Sequence, residues 1–313
     1  MRHLLRIFAL LLTLGCAALA QQAPVTLDAS VKPPFKFVVY GDIRFMNPAN
    51  THDSNPVRRK LLVQQIANEK PKFLLITGDL VANGGDASQW QVFDQETAPY
   101  RSAEVKIYPA LGNHDLRGDL PVALKNYFER FPYLRQSRYY SVRAGNTLVL
   151  TLDSSLDAPG GEEMQWFDKQ ISSVPDGVQF VVIQLHHPPL TRSKDSFMGG
   201  GHSPRGQEQD MAQFIESRAA KSKARFIVVA GHVHNYERYE RNGVMYVVSG
   251  GGGATPYMIP RQPNDAYKDS GASYHYCRFD VSDGQISMHM VKLELEGNKP
   301  KWVERDSFTW NEK

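Results

Sequence analysis

Residues 231–236 read GHVHNY and place His232 and His234 two residues apart, just after the apolar run 224–229, which only Arg225 interrupts. Extended backbone turns side chains i and i+2 to the same side, about 6.5–7 Å apart at Cα. At that spacing two imidazoles can reach one metal ion, or one ion each of a close pair. A polar residue satisfied at a strand end explains a lone His more easily than a pair. Four further apolar runs stop in a similar way. FVVYGDIR ends in Gly41-Asp42, FLLITGDLVANG in Gly78-Asp79, IYPALGNHD in Gly112-Asn113-His114-Asp115, and FVVIQLHHPP in His186-His187. Gly lets a strand turn sharply and aim the next side chain. One Gly-Asp after a strand is an ordinary turn. Recurring Asp, Asn and His at such ends instead assemble oxygen and nitrogen donors suited to Mn, Zn, Fe or Mg.

The elements that must carry these ends follow a regular pattern. Short runs rich in Val, Ile and Leu predict strands at Phe37–Tyr40, Phe73–Thr77, Val105–Pro109, Leu148–Asp153, Phe180–Leu185, Phe226–Ala230 and Val244–Ser249. Helices are expected between them at Val57–Asn68, Ala87–Thr97, Pro121–Phe128, Glu162–Ser172 and Gln207–Lys221. Alternating strands and helices predict an α/β fold, in which ligands gather where strands end. Late runs at Tyr274–Val281 and Ile286–Leu295, joined across SDG, read as a hairpin. A lead over 21–34 is expected before a single domain over 35–313.

The chain has 313 residues, 42% hydrophobic and 22% charged, enough for a core of its own. Arg2 and Arg6, the apolar run LLRIFALLLTLG and the small residues CAALA read as a signal peptide over 1–20, cleaved after Ala20. The expectation is a secreted or periplasmic protein whose mature chain has no transmembrane segment. Lipid attachment at Cys16 and an uncleaved anchor are the alternatives. Cleavage lowers the formal net charge from +3 to +1, which gives no nucleic-acid signal, and leaves Cys277 as the only cysteine.

The order Asp, Gly-Asp, Gly-Asn-His, His, Gly-His-x-His resembles the calcineurin-like metallophosphoesterases. GHVHNYER and the segment MYVVSGGGG are most similar to their purple acid phosphatase branch. The resemblance implies a four-layer αββα sandwich, two mixed β-sheets flanked by helices, with a two-metal centre between strand ends. It implies that Asp79 bridges both metals, that Asp42 and His234 complete one site, and that Asn113, His186 and His232 complete the other. His114 would not bind metal but would face the substrate, stabilising phosphate charge or protonating the leaving oxygen. The resemblance implies that two metal ions held there would supply a hydroxide for in-line attack on a small phosphate ester. A non-catalytic relative that binds an anion is the alternative.

Two family ligands are missing. Many metallophosphoesterases have Asp-x-His in the first motif, where this chain has Asp42-Ile43-Arg44. Purple acid phosphatases take a Tyr three residues after the second Asp, where Ala82 stands. Their colour comes from that Tyr bonded to ferric iron. If the chain stays extended, Arg44 lies on the side of Asp42 and is expected to clamp phosphate; the alternative is a salt bridge pointing away. His187 is expected to pack or to support the ligands, since adjacent strand residues face opposite ways. In the loop 192–206, Arg192, Lys194, His202 and Arg205 are candidate substrate contacts, His202 above all; the alternative is a solvated surface loop. Tyr236 and Arg238 either orient the His loop or reach the site, and SGGGG calls for close backbone approach or a tight turn.

Overall fold

The computed structural model describes residues 23–155, 161–194 and 202–313. Its strands are β1 (Thr26–Asp28), β2 (Phe35–Tyr40), β3 (Phe73–Ile76), β4 (Lys106–Pro109), β5 (Tyr140–Ala144), β6 (Thr147–Thr151), β7 (Phe180–Gln184), β8 (Arg225–Ala230), β9 (Tyr236–Arg241), β10 (Val244–Ser249), β11 (His275–Ser282), β12 (Gln285–Glu296) and β13 (Lys299–Asn311). The helices are α1 (Pro56–Asn68), α2 (Ala87–Glu96), α3 (Ala98–Ser102), α4 (Leu120–Arg130), α5 (Glu162–Ser172) and α6 (Gly206–Ala219). The strands form two mixed sheets, in the orders β1-β5-β6-β7-β8-β10-β9 and β13-β12-β11-β2-β3-β4.

Period-two alternation explains how the layers stack. Leu148, Leu150, Val181, Ile183, Phe226 and Val228 turn one face of the first sheet to Phe167, Ile171 of α5 and Ala212, Ile215 of α6. Their neighbours Val149, Val182, Ile227 and Val229 turn the other face into a second core shared with β2, β3 and β11 and with Leu62 and Ile66 of α1. The four-layer α/β sandwich with two mixed sheets is therefore present. The strands β2, β3 and β4 run parallel, as do β6, β7, β8 and β10. Every buried strand in these runs delivers its C-terminal end to one side of the molecule.

All seven expected strands, the late hairpin and the five expected helices are present, with boundaries shifted by a few residues. The chain also contains β1, β5, β9 and β13, which the pattern did not predict. β9 (YERYER) and β13 are charged, half-exposed edge strands, so no apolar run marks them. The expected signal peptide at 1–20 lies outside the described residues. Among the described residues no helix is long and apolar enough to cross a membrane.

Candidate metal centre

The chain leaves β2, β3, β4, β7 and β8 within a few residues of Asp42, Asp79, Asn113, His186 and His232. Asp42, Arg44, Asp79 and His232 all have left-handed backbone, with φ of +54°, +52°, +52° and +67°. Such φ values are uncommon for residues other than Gly and concentrate where structure serves function. Gly112 leaves the room these turns need, because a Cβ there would lie 2.3 Å from Asp79 Oδ1. In the run 250–253, a Cβ on Gly252 would lie 2.4 Å from the Gly41 carbonyl. The glycines thus serve close backbone approach, as the sequence suggested.

The donors gather in two adjoining sets. In the first, Asp42 Oδ1 lies 3.6 Å from His234 Nε2. Neither atom has a hydrogen-bond partner among the described residues, and both are buried. The other Asp42 oxygen accepts the His232 N–H at 2.8 Å. In the second, Asn113 Oδ1 lies 3.0 Å from His186 Nε2 and 3.1 Å from His232 Nδ1. Those two ring nitrogens are 3.2 Å apart. Asp79 lies between the sets. Its Oδ1 accepts the His114 N–H at 2.9 Å and sits 3.4 Å from His186 Nε2, and its Oδ2 lies 3.4 Å from Arg44 Nη2.

Carbonyl groups fix the imidazole tautomers. His186 Nδ1 donates to the Thr77 carbonyl at 2.8 Å and His234 Nδ1 to the Thr255 carbonyl at 3.1 Å. A carbonyl only accepts, so both Nε2 atoms present lone pairs inward. Lone pairs on His186 Nε2 and Asn113 Oδ1 at 3.0 Å repel unless a proton or cation lies between them. Orphaned acceptors in the first set and crowded acceptors in the second are the pattern a pair of cations satisfies. The residues present therefore fit divalent metal.

Burial and neighbouring charges set the ionisation. Burial raises the Asp42 carboxyl well above its ordinary range, Asp79 adds to this, and Arg44 opposes it. Burial also acts to raise Asp79, but His186, His114 and Arg44 outweigh it and hold Asp79 below the usual range. Burial lowers His234 to about 3, and Arg44 pushes the same way. His114 falls to about 4, because burial disfavours its charged form more than Asp79 supports it.

His114 and Arg44 meet beside Asp79. His114 Nδ1 donates to the Ala82 carbonyl at 2.9 Å, so its Nε2 is the acceptor, and Arg44 Nη2 donates to it at 2.7 Å. Residues 42–44 are not extended, so alternation was the wrong reason to place Arg44 here. Left-handed turns bring it in nonetheless, with its side chain 14% exposed. Its ion pair with Asp79 points into the centre, not away from it.

Other expectations fared differently. His187 turns towards the cluster instead of away from it. Its ring lies 4.4 Å from that of His232, and one nitrogen each of His186, His187 and His232 lie within 4.8 Å of one another. β7 ends at Gln184, so strand alternation no longer governs residues 186 and 187. Ser154 Oγ, 2.8 Å from His187 Nδ1, holds the ring. Of the loop candidates, His202 reaches the cluster, its ring 4.1 Å from that of His232. Arg192 pairs with Asp265 at 2.9 Å and Arg205 with Glu208 at 2.6 Å. Tyr236 and Arg238 belong to β9 and bind Asp306 of β13.

Two supporting residues escaped the sequence reading. Asp115 is buried and accepts the N–H of Gly112 at 2.9 Å and of Val81 at 3.2 Å, which ties the Asp79 and Asn113 turns together. Its place in GNHD was the available signal. Arg59, buried in α1, binds both oxygens of Glu96 and donates to the Arg44 carbonyl at 3.1 Å. Nothing in a helical sequence singles it out.

Residues 35–250 match the calcineurin-like phosphoesterase family. The chain belongs to that family. Within it, the chain is 24% identical over 263 residues to a probable purple acid phosphatase 20 of Arabidopsis thaliana, covering 76% of this chain and 57% of the relative. It is 26% identical over 316 residues to a probable inactive purple acid phosphatase 1 of the same plant, covering 87% and 49%. The chain thus spans about half the length of these curated relatives. A solved purple acid phosphatase from yellow lupin (Lupinus luteus) seeds shares the fold, with a TM-score of 0.67 at 21% identity, covering 93% of this chain and 55% of that one.

Proposed function

We propose that this phosphoesterase-family chain hydrolyses small phosphate esters at a two-metal centre. One observation carries the reading: two adjoining sets of inward-facing acceptors share Asp79, and Asp42 Oδ1 and His234 Nε2 stand unpartnered among the described residues. Asp79 would bridge, with Asp42 and His234 on one side and Asn113, His186 and His232 on the other. Divalent ions there, Mn, Zn, Fe or Mg, would act as Lewis acids on the phosphate and lower the pKa of the attacking water.

The chain's own groups orient and discharge the ester. Arg44 offers donors that match phosphate oxygens, and its Nε is buried without a partner among the described residues. A phosphate that draws Arg44 away frees the His114 Nε2 lone pair, which can then take up a proton from solvent and give it to the leaving oxygen. Asn113 supplies an oxygen donor without adding negative charge beside an anionic substrate. His202 stands at the rim of the same cluster. Export is part of the proposal: the protein recovered outside the cytoplasm begins at Gln21, and an N-terminal sequence starting at lipidated Cys16 overturns that cleavage.

The second reading is a non-catalytic anion binder. It is favoured by the His114 lone pair being taken up by Arg44 at 2.7 Å. A panel of phosphate mono- and diesters assayed with Mn, Zn, Fe and Mg separates the two. Turnover with any metal supports the enzyme; no hydrolysis under any of them, with metal bound, leaves the binder.

A further inference from the structure

The two halves of the centre are not equivalent. Setting aside the shared Asp79, the Asn113 half has three donors, Asn113 Oδ1, His186 Nε2 and His232 Nδ1, mutually within 3.0–3.2 Å. His187 adds a third imidazole within 4.8 Å. Among the described residues the other half has only Asp42 and His234. Position 82 gives it a methyl group, and the Ala82 carbonyl is occupied by His114 Nδ1. Position 44 gives it a guanidinium, which has no lone pair to ligate with and is always charged.

That guanidinium is built in place. The Arg44 N–H donates to the Asp79 carbonyl at 3.0 Å, and Arg59 binds the Arg44 carbonyl at 3.1 Å. Arg44 Nη2 lies 3.4 Å from Asp79 Oδ2, the carboxylate both halves share. A fixed positive charge there offsets Asp42 and opposes a second cation. An anion on Arg44 reverses the effect, since it screens the guanidinium and offers oxygen where the family ligands are missing.

We propose that Arg44 makes the Asn113, His186 and His232 half the tight cation site and the Asp42 and His234 half a weak one that phosphate tightens. Substrate and the second metal then bind cooperatively, each raising the affinity for the other by the same factor. The centre completes itself when the ester arrives. The inference needs metal binding at this site, as in the proposed function, but it does not need turnover.

Calorimetric titration of the metal-free protein with Mn²⁺, with and without inorganic phosphate, tests it. The wild type should bind one equivalent tightly and a second at least about tenfold more weakly, and phosphate should tighten the second by about tenfold, within the usual range of coupling. Arg44→Ala should tighten the second site without phosphate and lose most of the phosphate effect, whereas Arg44→Lys should retain it. Two equally tight sites in the wild type, or a weak site indifferent to phosphate, overturn the proposal. So does an Arg44→Ala protein that keeps the full coupling. The wild-type titration decides even where a variant fails to fold. A protein that shows this coupling but hydrolyses no ester refutes the phosphoesterase reading and leaves this inference standing; turnover with two equal sites does the reverse.

Discussion

Arg44 Nη2 lies 2.7 Å from His114 Nε2, while His114 Nδ1 donates to the Ala82 carbonyl. His114 is thereby locked as a neutral ring whose open nitrogen faces the centre, and burial keeps it neutral down to about pH 4. In the proposed reaction Arg44 is a cap on that nitrogen which a phosphate, matched to its donors, would draw off.

His114→Ala is expected to lower kcat by about 10²–10⁴, the range for losing a general acid or base. Bound metal should not change, because His114 Nδ1 is engaged by the Ala82 carbonyl and Nε2 by Arg44. Loss of metal in this variant, read by elemental analysis, would make His114 a ligand.

The sequence carried the site further than it carried the sheet edges. Gly-Asp, Gly-Asn-His and His-x-His placed at the ends of apolar runs mark the centre because polar donors there have few structural uses. It carried the reasons less well. His232 and Arg44 sit in left-handed backbone, which no side-chain pattern announces. Asn113, His186 and His232 converge only because β4, β7 and β8 end on one side, which is a property of topology. β13 was illegible because charged and polar residues break its apolar side chains into short pieces, leaving no apolar run of the kind that marks the buried strands.

Arg59 should be the most sensitive buried position outside the centre. Its side chain is fully buried and pairs with Glu96, itself 7% exposed, at 2.7 Å. Arg59→Ala leaves the buried Glu96 with only the exposed Lys60, 3.9 Å away, to balance its charge, at a cost of about 3–5 kcal/mol. Denaturant unfolding should register that loss. A loss below about 1 kcal/mol would mean that water or Lys60 replaces the pairing.

His275 predicts an acid-sensitive core. It is fully buried on β11, its Nδ1 donates to the Ser273 carbonyl at 3.2 Å, and its Nε2 has no partner among the described residues. Burial lowers its pKa from 6.5 to about 3. Below pH 6.5 the unfolded chain takes up a proton the folded chain refuses, so stability is present above 6.5 and is lost as pH falls towards about 3. His275→Phe should flatten the stability profile across that window by up to about 1.4 kcal/mol per pH unit. Parallel profiles for the two proteins would show that His275 does not titrate with folding.

Ala82 makes a prediction about colour. The resemblance to purple acid phosphatases implies that their visible band arises from Tyr bonded to ferric iron, and the matching position here holds a methyl group. The remaining tyrosine near the first set is Tyr257, whose ring lies 5.5 Å from that of His234. Burial raises its hydroxyl to about 12, so it gives up its proton less readily than an ordinary tyrosine. Iron-loaded protein should therefore bind ferric ion without a purple band. Ala82→Tyr should introduce one if the side chain enters the first set, because a phenolate beside Asp79 restores the missing donor. An absorption spectrum with a strong visible band in the iron-loaded wild type would refute this. It would assign the phenolate to Tyr257, and the Tyr257→Phe variant would then be colourless.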